Sequence, residues 1–231
     1  MQVQLLSRAP SFRVLTTNPL LGKILLSNHS GGIMTEYEKM KIALRYWLLG
    51  KEFYQAADAL EFASSYHIGT RKDGETPEFQ HQIEMAHYVR TLLPFLLYPE
   101  DTISAVLLHD TPEDYNVPTE IIASRFNDRV ALATELMNKH RWKSQTDQFL
   151  AIAENPIASI VKGADRMHNI QTMVDVFTVE KQIAYIKTAE TLFIPMLKSA
   201  RRRFPMQEPA YENIKLVLLN QIELIKTAAI P

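Results

Sequence analysis

The sequence predicts an all-α protein. Three observations carry that expectation. Apolar residues recur at helical spacing from Thr35 onward, no polar–apolar alternation runs beyond a few residues, and helix start and stop signals bracket the periodic stretches. The 231 residues, 46% of them hydrophobic, suffice for one domain of ordinary size with a full core.

Thr35 and Glu38 form a capping box, so a first helix runs from about Glu36 to Leu49 and stops at Gly50. A second carries Phe53, Ala56, Ala57, Leu60, Ala63 and Ser64 on one stripe. His67 extends that stripe and lies on its buried side at the helix end. Gly69 to Glu75 is a polar, charged loop, and Thr76-Pro77 reads as the cap and first-turn proline of a third helix that carries His81. Thr102 to His109 is an apolar helix; Pro112 biases Thr111 out of helical geometry, so the chain turns just after Asp110. A helix over about Thr119 to Asn138 precedes a polar linker, His140 to Thr146. Asn155-Pro156 opens another, striped by Ile157, Ile160, Val161, Ala164 and His168. Two more helices are expected, about Val179 to Arg202 and Glu208 to Ala228.

Residues 1–33 read differently from 34–231. They hold Arg8, Arg13 and Lys23 but no acid, the first being Glu36. A transit peptide, a loosely docked arm and sequence upstream of the true start all fit. The last is favoured, because Gly31-Gly32-Ile33 before Met34 fits a purine-rich ribosome-binding site and a well-capped helix follows at once. Mass spectrometry of the native protein decides it.

The totals exclude several function classes. A net charge of -1 provides no basic field to recruit nucleic acid or a membrane surface. No run of about 18 apolar residues spans a bilayer. No cysteine is present, which removes disulfides and thiolate metal sites and points to a reducing, cytoplasmic setting. Neither GxGxxG nor GxxxxGK occurs.

What is left is a constellation of ligands. His67 in HIGTRKDG, His81 in EFQHQ, His109-Asp110 in LLHDTPED and Asp165 in VKGADRMHN offer nitrogen and oxygen to one divalent cation. Adjacent helical residues point about 100° apart, so His109 and Asp110 face one point only where a helix ends, and Pro112 supplies that end. Imidazole with carboxylate suits Mn, Fe or Zn rather than Ca or Mg. Asp165 adjoins an apolar stripe, where an uncompensated carboxylate is costly; a metal, or Lys162 and Arg166, must offset it. Asn169, four residues on, shares its face. Glu113 and Asp114 are placed to steer or take a proton from an activated water, which makes the chemistry hydrolysis. Arg71 and Lys72 follow His67 in a polar loop and suit an anionic substrate. His168 completes an apolar stripe and reads as packing or as support for a ligand.

These residues resemble the HD-domain phosphohydrolases and, more narrowly, the hydrolase domain of RelA/SpoT homologues and small stand-alone alarmone hydrolases. The likeness covers roughly Tyr37 to Glu223: His67 to Gly74 is similar to the family's first motif, His81 to its second histidine, LLHDTPED to its HD…ED element and KGADRMHN to its late D-R-x-x-N element. The aromatic and proline usual around the second histidine are altered in PEFQHQ, which bears on nucleoside selectivity. The resemblance implies a helical domain binding one Mn(II) through His67, His81, His109, Asp110 and Asp165. It also implies removal of the 3′-pyrophosphate from ppGpp or pppGpp, a role in the stringent response. Two alternatives stand beside it: hydrolysis of another nucleotide or a pyrophosphorylated RNA end, and a helical protein that neutralises a partner by binding, as an antitoxin does. The oligomeric state is not legible.

Overall fold

The computed structural model describes residues 34–174 and 176–229; the readings made for residues 1–33 lie outside them. Among the described residues every regular element is helical, and the one sheet-like feature is an isolated bridge between Thr70 and Pro77. In chain order the α-helices are α1 (Glu36–Gly50), α2 (Tyr54–Ser64), α3 (Gln80–Val89), α4 (Pro99–Leu108), α5 (Thr111–Asp114), α6 (Thr119–Arg125), α7 (Asp128–Met137), α8 (Gln145–Ala153), α9 (Pro156–Thr172), α10 (Val179–Thr188), α11 (Ile194–Arg203) and α12 (Glu208–Ala229). A π-helical segment, Ala189–Phe193, joins α10 to α11. No described helix is long and apolar enough to cross a membrane.

Two helices organise the core. In α4, Asp101 to Leu108 is buried on every face, as a helix surrounded by others must be. It packs against α2, α3, α7 and α9. The second, α9, is capped by the Asn155 side chain, which accepts from the backbone N–H of Ile157 and Ala158, and it starts with Pro156. It is buried from Ile157 through Ile170 except for Lys162, Asp165, Arg166 and Asn169. Those four therefore face a cleft between α9 and its neighbours. Gly163 keeps α9 close to its other partners: a Cβ there would sit 2.9 Å from Leu197 and 3.0 Å from Ile214.

Several boundaries differ from the sequence expectation. The third helix starts at Gln80, not at Thr76-Pro77. Thr76 is drawn instead to Asp73, whose carboxylate accepts from its hydroxyl and from the N–H of Glu75 and Thr76. With Arg71 N–H on Thr76 O (2.7 Å), Glu78 N–H on Gly69 O (2.9 Å) and Gly74 turned at φ 78°, residues 69–78 form a narrow tongue. The helix expected over Thr119 to Asn138 is broken at Phe126–Asn127, where the Asn127 side chain caps a new start through Val130 N–H. Ser144 caps α8, a helix the sequence reading leaves unassigned beyond the linker.

Candidate metal centre

Three ligand-type atoms, one each from His81, His109 and Asp165, lie within 4.8 Å of one another. His81 comes from the first turn of α3, His109 from the residue after α4, and Asp165 from the middle of α9. His81 Nε2 is 3.3 Å from Asp165 Oδ1. His109 Nε2 is 3.0 Å from Asp110 Oδ2, which brings a fourth group to the same place. That contact is not aligned as a hydrogen bond, and His109 Nε2, buried, has no hydrogen-bond partner among the described residues. A buried, orphaned imidazole nitrogen beside two carboxylates is what a cation would satisfy. The donor set, imidazole with carboxylate, fits a divalent transition metal.

The electrostatics agree. Burial pushes His81 down to about 4, so its imidazole is neutral. Burial opposes charge on His109 too, but the Asp110 carboxylate, with Asp165 behind it, overrides burial and raises His109 to about 9. Burial would raise the Asp110 carboxyl; His109, with His81 adding to it, holds it instead at about 2. Asp165 is likewise held well below the usual carboxylate range, against its burial, by Lys162 and the facing histidines. The pocket thus keeps a proton on His109 at neutral pH.

Each donor is held from behind. His109 Nδ1 donates to Val106 O at 2.8 Å, which leaves Nε2 to face the centre. Gln82 Nε2 donates to Asp110 Oδ2 at 3.0 Å, and Asn169 donates to Asp165 Oδ1, with Lys162 Nζ 3.4 Å from its other oxygen. His81 Nδ1 meets His168 Nδ1 at 2.8 Å, and His168 Nε2 meets Glu84. The sequence reading passes over Gln82 and Glu84. Their offsets of one and three residues from His81 were the available signal.

His67, expected as a fifth ligand, lies outside the three-atom group, and its ring nitrogens have other neighbours. Its Nε2 is 3.3 Å from Thr111 Oγ1 and its Nδ1 is 3.4 Å from Glu78. Its ring stacks on Phe79 at 5.7 Å and meets Tyr115 edge-on at 4.7 Å. His67 thus braces the turn that follows Asp110.

The acidic pair divides in two. Glu113 accepts from the backbone N–H of Lys139 at 2.8 Å and pairs with its ammonium, so it clasps the linker after α7. The Asp114 N–H donates to Asp110 O at 2.8 Å, but its carboxylate makes no hydrogen bond among the described residues. It sits exposed at the rim, where the surrounding protein, and then Asp110 and Glu113, raise its carboxyl to about 6.

The centre opens into a cleft of about 810 Å³, lined by Arg71, Lys72, Lys139, Lys162 and Arg166 among others. Arg166 packs between the rings of Tyr185 (4.3 Å) and Phe193 (4.2 Å), while its Nε and Nη1 are buried without hydrogen-bond partners among the described residues. Lys72 lies 5.4 Å from the Phe177 ring at the cleft wall. A floor of carboxylates ringed by cations suits a cation below and a polyanion above.

A family model described as the HD domain matches residues 59–202. The guanosine-3′,5′-bis(diphosphate) 3′-pyrophosphohydrolase of Aquifex aeolicus is 30% identical over 174 residues, covering 72% of this chain and 24% of that protein. A GTP pyrophosphokinase of Streptomyces coelicolor is 29% identical over 128 residues, 52% of this chain and 15% of that protein. A GTP pyrophosphokinase of Brucella melitensis is 25% identical over 181 residues, 71% of this chain and 22% of that protein. The chain spans about a quarter or less of the length of these relatives.

Proposed function

The chain belongs to the HD-domain family, and from that premise we propose that it is a metal-dependent phosphohydrolase acting on guanosine alarmones. In this reading it removes the 3′-pyrophosphate of ppGpp or pppGpp by adding water, giving GDP or GTP and pyrophosphate. The observation that carries it is the convergence of His81, His109 and Asp165 within 4.8 Å, with Asp110 beside them, at the floor of a cation-lined cleft. The relative named as a 3′-pyrophosphohydrolase supports the choice of substrate.

His81, His109, Asp110 and Asp165 would hold Mn(II) or another divalent transition ion. Such an ion would supply Lewis acidity and lower the pKa of water in the site. The Asp114 carboxylate, without a hydrogen-bond partner among the described residues and raised to about 6 by burial and by Asp110 and Glu113, accepts a proton from water. Glu113 shapes the rim through its clasp on Lys139 and adds negative charge beside Asp114. Arg71, Lys72, Lys162 and Arg166 bind and orient the phosphates, and Asn169 keeps Asp165 aimed.

The test is a substrate panel with Mn(II). Pyrophosphate release from ppGpp should far exceed release from other nucleotides, vanish in EDTA and return best with Mn(II). Turnover of another nucleotide or a pyrophosphorylated RNA end, with ppGpp inert, replaces the substrate but keeps the enzyme class. An Asp110→Ala protein that performs its full biological role removes catalysis and leaves binding of a partner.

A further inference from the structure

The contacts that place His81 run further than the metal centre needs for packing alone. His81 Nδ1 and His168 Nδ1 face each other at 2.8 Å, both buried, across the α3–α9 interface. On the far side His168 Nε2 meets Glu84 Oε2 at 2.5 Å, and the other Glu84 oxygen accepts from Gln80 Nε2 at 2.7 Å. Gln80, His81 and Glu84 all belong to α3. The result is a closed run of polar groups from the cleft rim to the centre.

Protons in this run can be placed. A carboxylate only accepts, so the hydrogen between Glu84 and His168 sits on His168 Nε2. Two ring nitrogens 2.8 Å apart share one hydrogen. When that hydrogen lies on His81 Nδ1, His168 Nδ1 is bare and accepts it. His81 Nε2, 3.3 Å from Asp165, then carries a lone pair into the centre. Any other arrangement either breaks the 2.8 Å contact or puts a hydrogen on His81 Nε2 and closes it to a cation.

We propose that Glu84 and His168 are positioning residues that lock His81 in its metal-binding tautomer, Glu84 acting through His168. The inference rests on the metal-binding reading above. It differs from the arrangement at His109, where a backbone carbonyl does the same work and no side chain can be varied.

The test is Mn(II) affinity of metal-stripped protein, followed by the electron paramagnetic signal of free Mn(II). His168→Leu should weaken binding roughly 10- to 100-fold, the range for losing a group behind a ligating histidine. His168→Asn should bind within a few-fold of the parent, because Oδ1 of asparagine falls near the former Nδ1 and accepts the His81 hydrogen. Asn leaves a larger void than Leu, so a packing role predicts the opposite order. Glu84→Leu, at a position partly exposed on the rim and so tolerant of change, should lose about tenfold. Affinity in His168→Leu within twofold of the parent overturns the proposal, as does equal loss in Leu and Asn. Should His168→Leu not fold, Glu84→Leu decides alone, and unchanged affinity there overturns it. A parent that binds no Mn(II) overturns the functional reading instead, so the two failures are distinct.

Discussion

His81 on α3 and His109 at the end of α4 present Nε2 to the same point, yet the protein prepares them in opposite ways. Both are buried. His81 is driven down to about 4 by that burial, while His109 is lifted to about 9 against it by its neighbour Asp110. His81 is oriented by side chains, from His168 to Glu84; His109 is oriented by the Val106 carbonyl of its own helical turn. Burial alone therefore does not set a ligand's protonation. The carboxylate that shares its end of the helix does.

The largest expected effect comes from removing that carboxylate. Asp110→Ala takes away a ligand and the charge that faces His109, so Mn(II) affinity should fall more than about 100-fold and pyrophosphate release should drop to background. Calorimetry and a coupled pyrophosphate assay read both. An Asp110→Ala protein that still binds Mn(II) tightly would show the two histidines and Asp165 to be sufficient.

A second effect sharpens the contrast between the histidines. In metal-free protein His109 is protonated below about 9, and a metal needs its Nε2 bare. His81, Asp110 and Asp165 have no proton to lose near neutrality. Binding should thus release about one proton at pH 7.5, and affinity should rise about tenfold per pH unit up to roughly pH 9. The sign for stability is the reverse. A folded pKa above the unfolded value near 6.5 stabilises the metal-free protein at low pH, and that contribution fades as pH rises through about 9. Titrations in buffers of different ionisation enthalpy count the protons; release of two would make His81 a titrating partner after all.

Much of this was readable in the chain, and the failures have physical reasons. The Thr35–Glu38 capping box and the Asn155-Pro156 start both form helix ends, because the groups involved are neighbours in sequence. Thr76-Pro77 has the same local signature and does not cap, because Asp73, three residues earlier, claims the hydroxyl and the N–H. The break at Asn127 has a local cap signal that periodicity over Thr119 to Asn138 conceals. His168 is legible as buried from its stripe, but its contact with His81 joins residues 87 apart, and no spacing rule spans that. His67 is a related case. Its place on the buried side of a stripe is correct, but the stripe cannot say which buried neighbour it meets, and Thr111 and Glu78 meet it first.

That placement of His67 carries a third prediction. His67→Ala should leave Mn(II) affinity within about threefold and cost roughly 2 kcal/mol of stability through the lost contacts with Phe79 and Tyr115. Denaturant unfolding measures the cost. Loss of Mn(II) binding in a folded His67→Ala protein would restore it as a ligand.

The smallest effect concerns Asp114, whose exposed carboxyl is raised to about 6 by surrounding protein and by the charges of Asp110 and Glu113. The folded state then holds its proton more tightly than the unfolded chain, whose aspartate titrates near 3.9. Stability from this group is present below about pH 4 and is lost as pH climbs through 6. Asp114→Asn is neutral throughout, so it should melt on the order of 2 °C above the parent at pH 7.5, with little difference at pH 4. Adding Mn(II) should shrink the gap, because a cation beside Asp110 offsets the repulsion that raised Asp114. The same substitution should lower turnover while leaving Mn(II) affinity intact, which separates the proton acceptor from the ligands. An equal melting difference at both pH values would place Asp114 outside the field of the centre and remove it as the group that takes the proton.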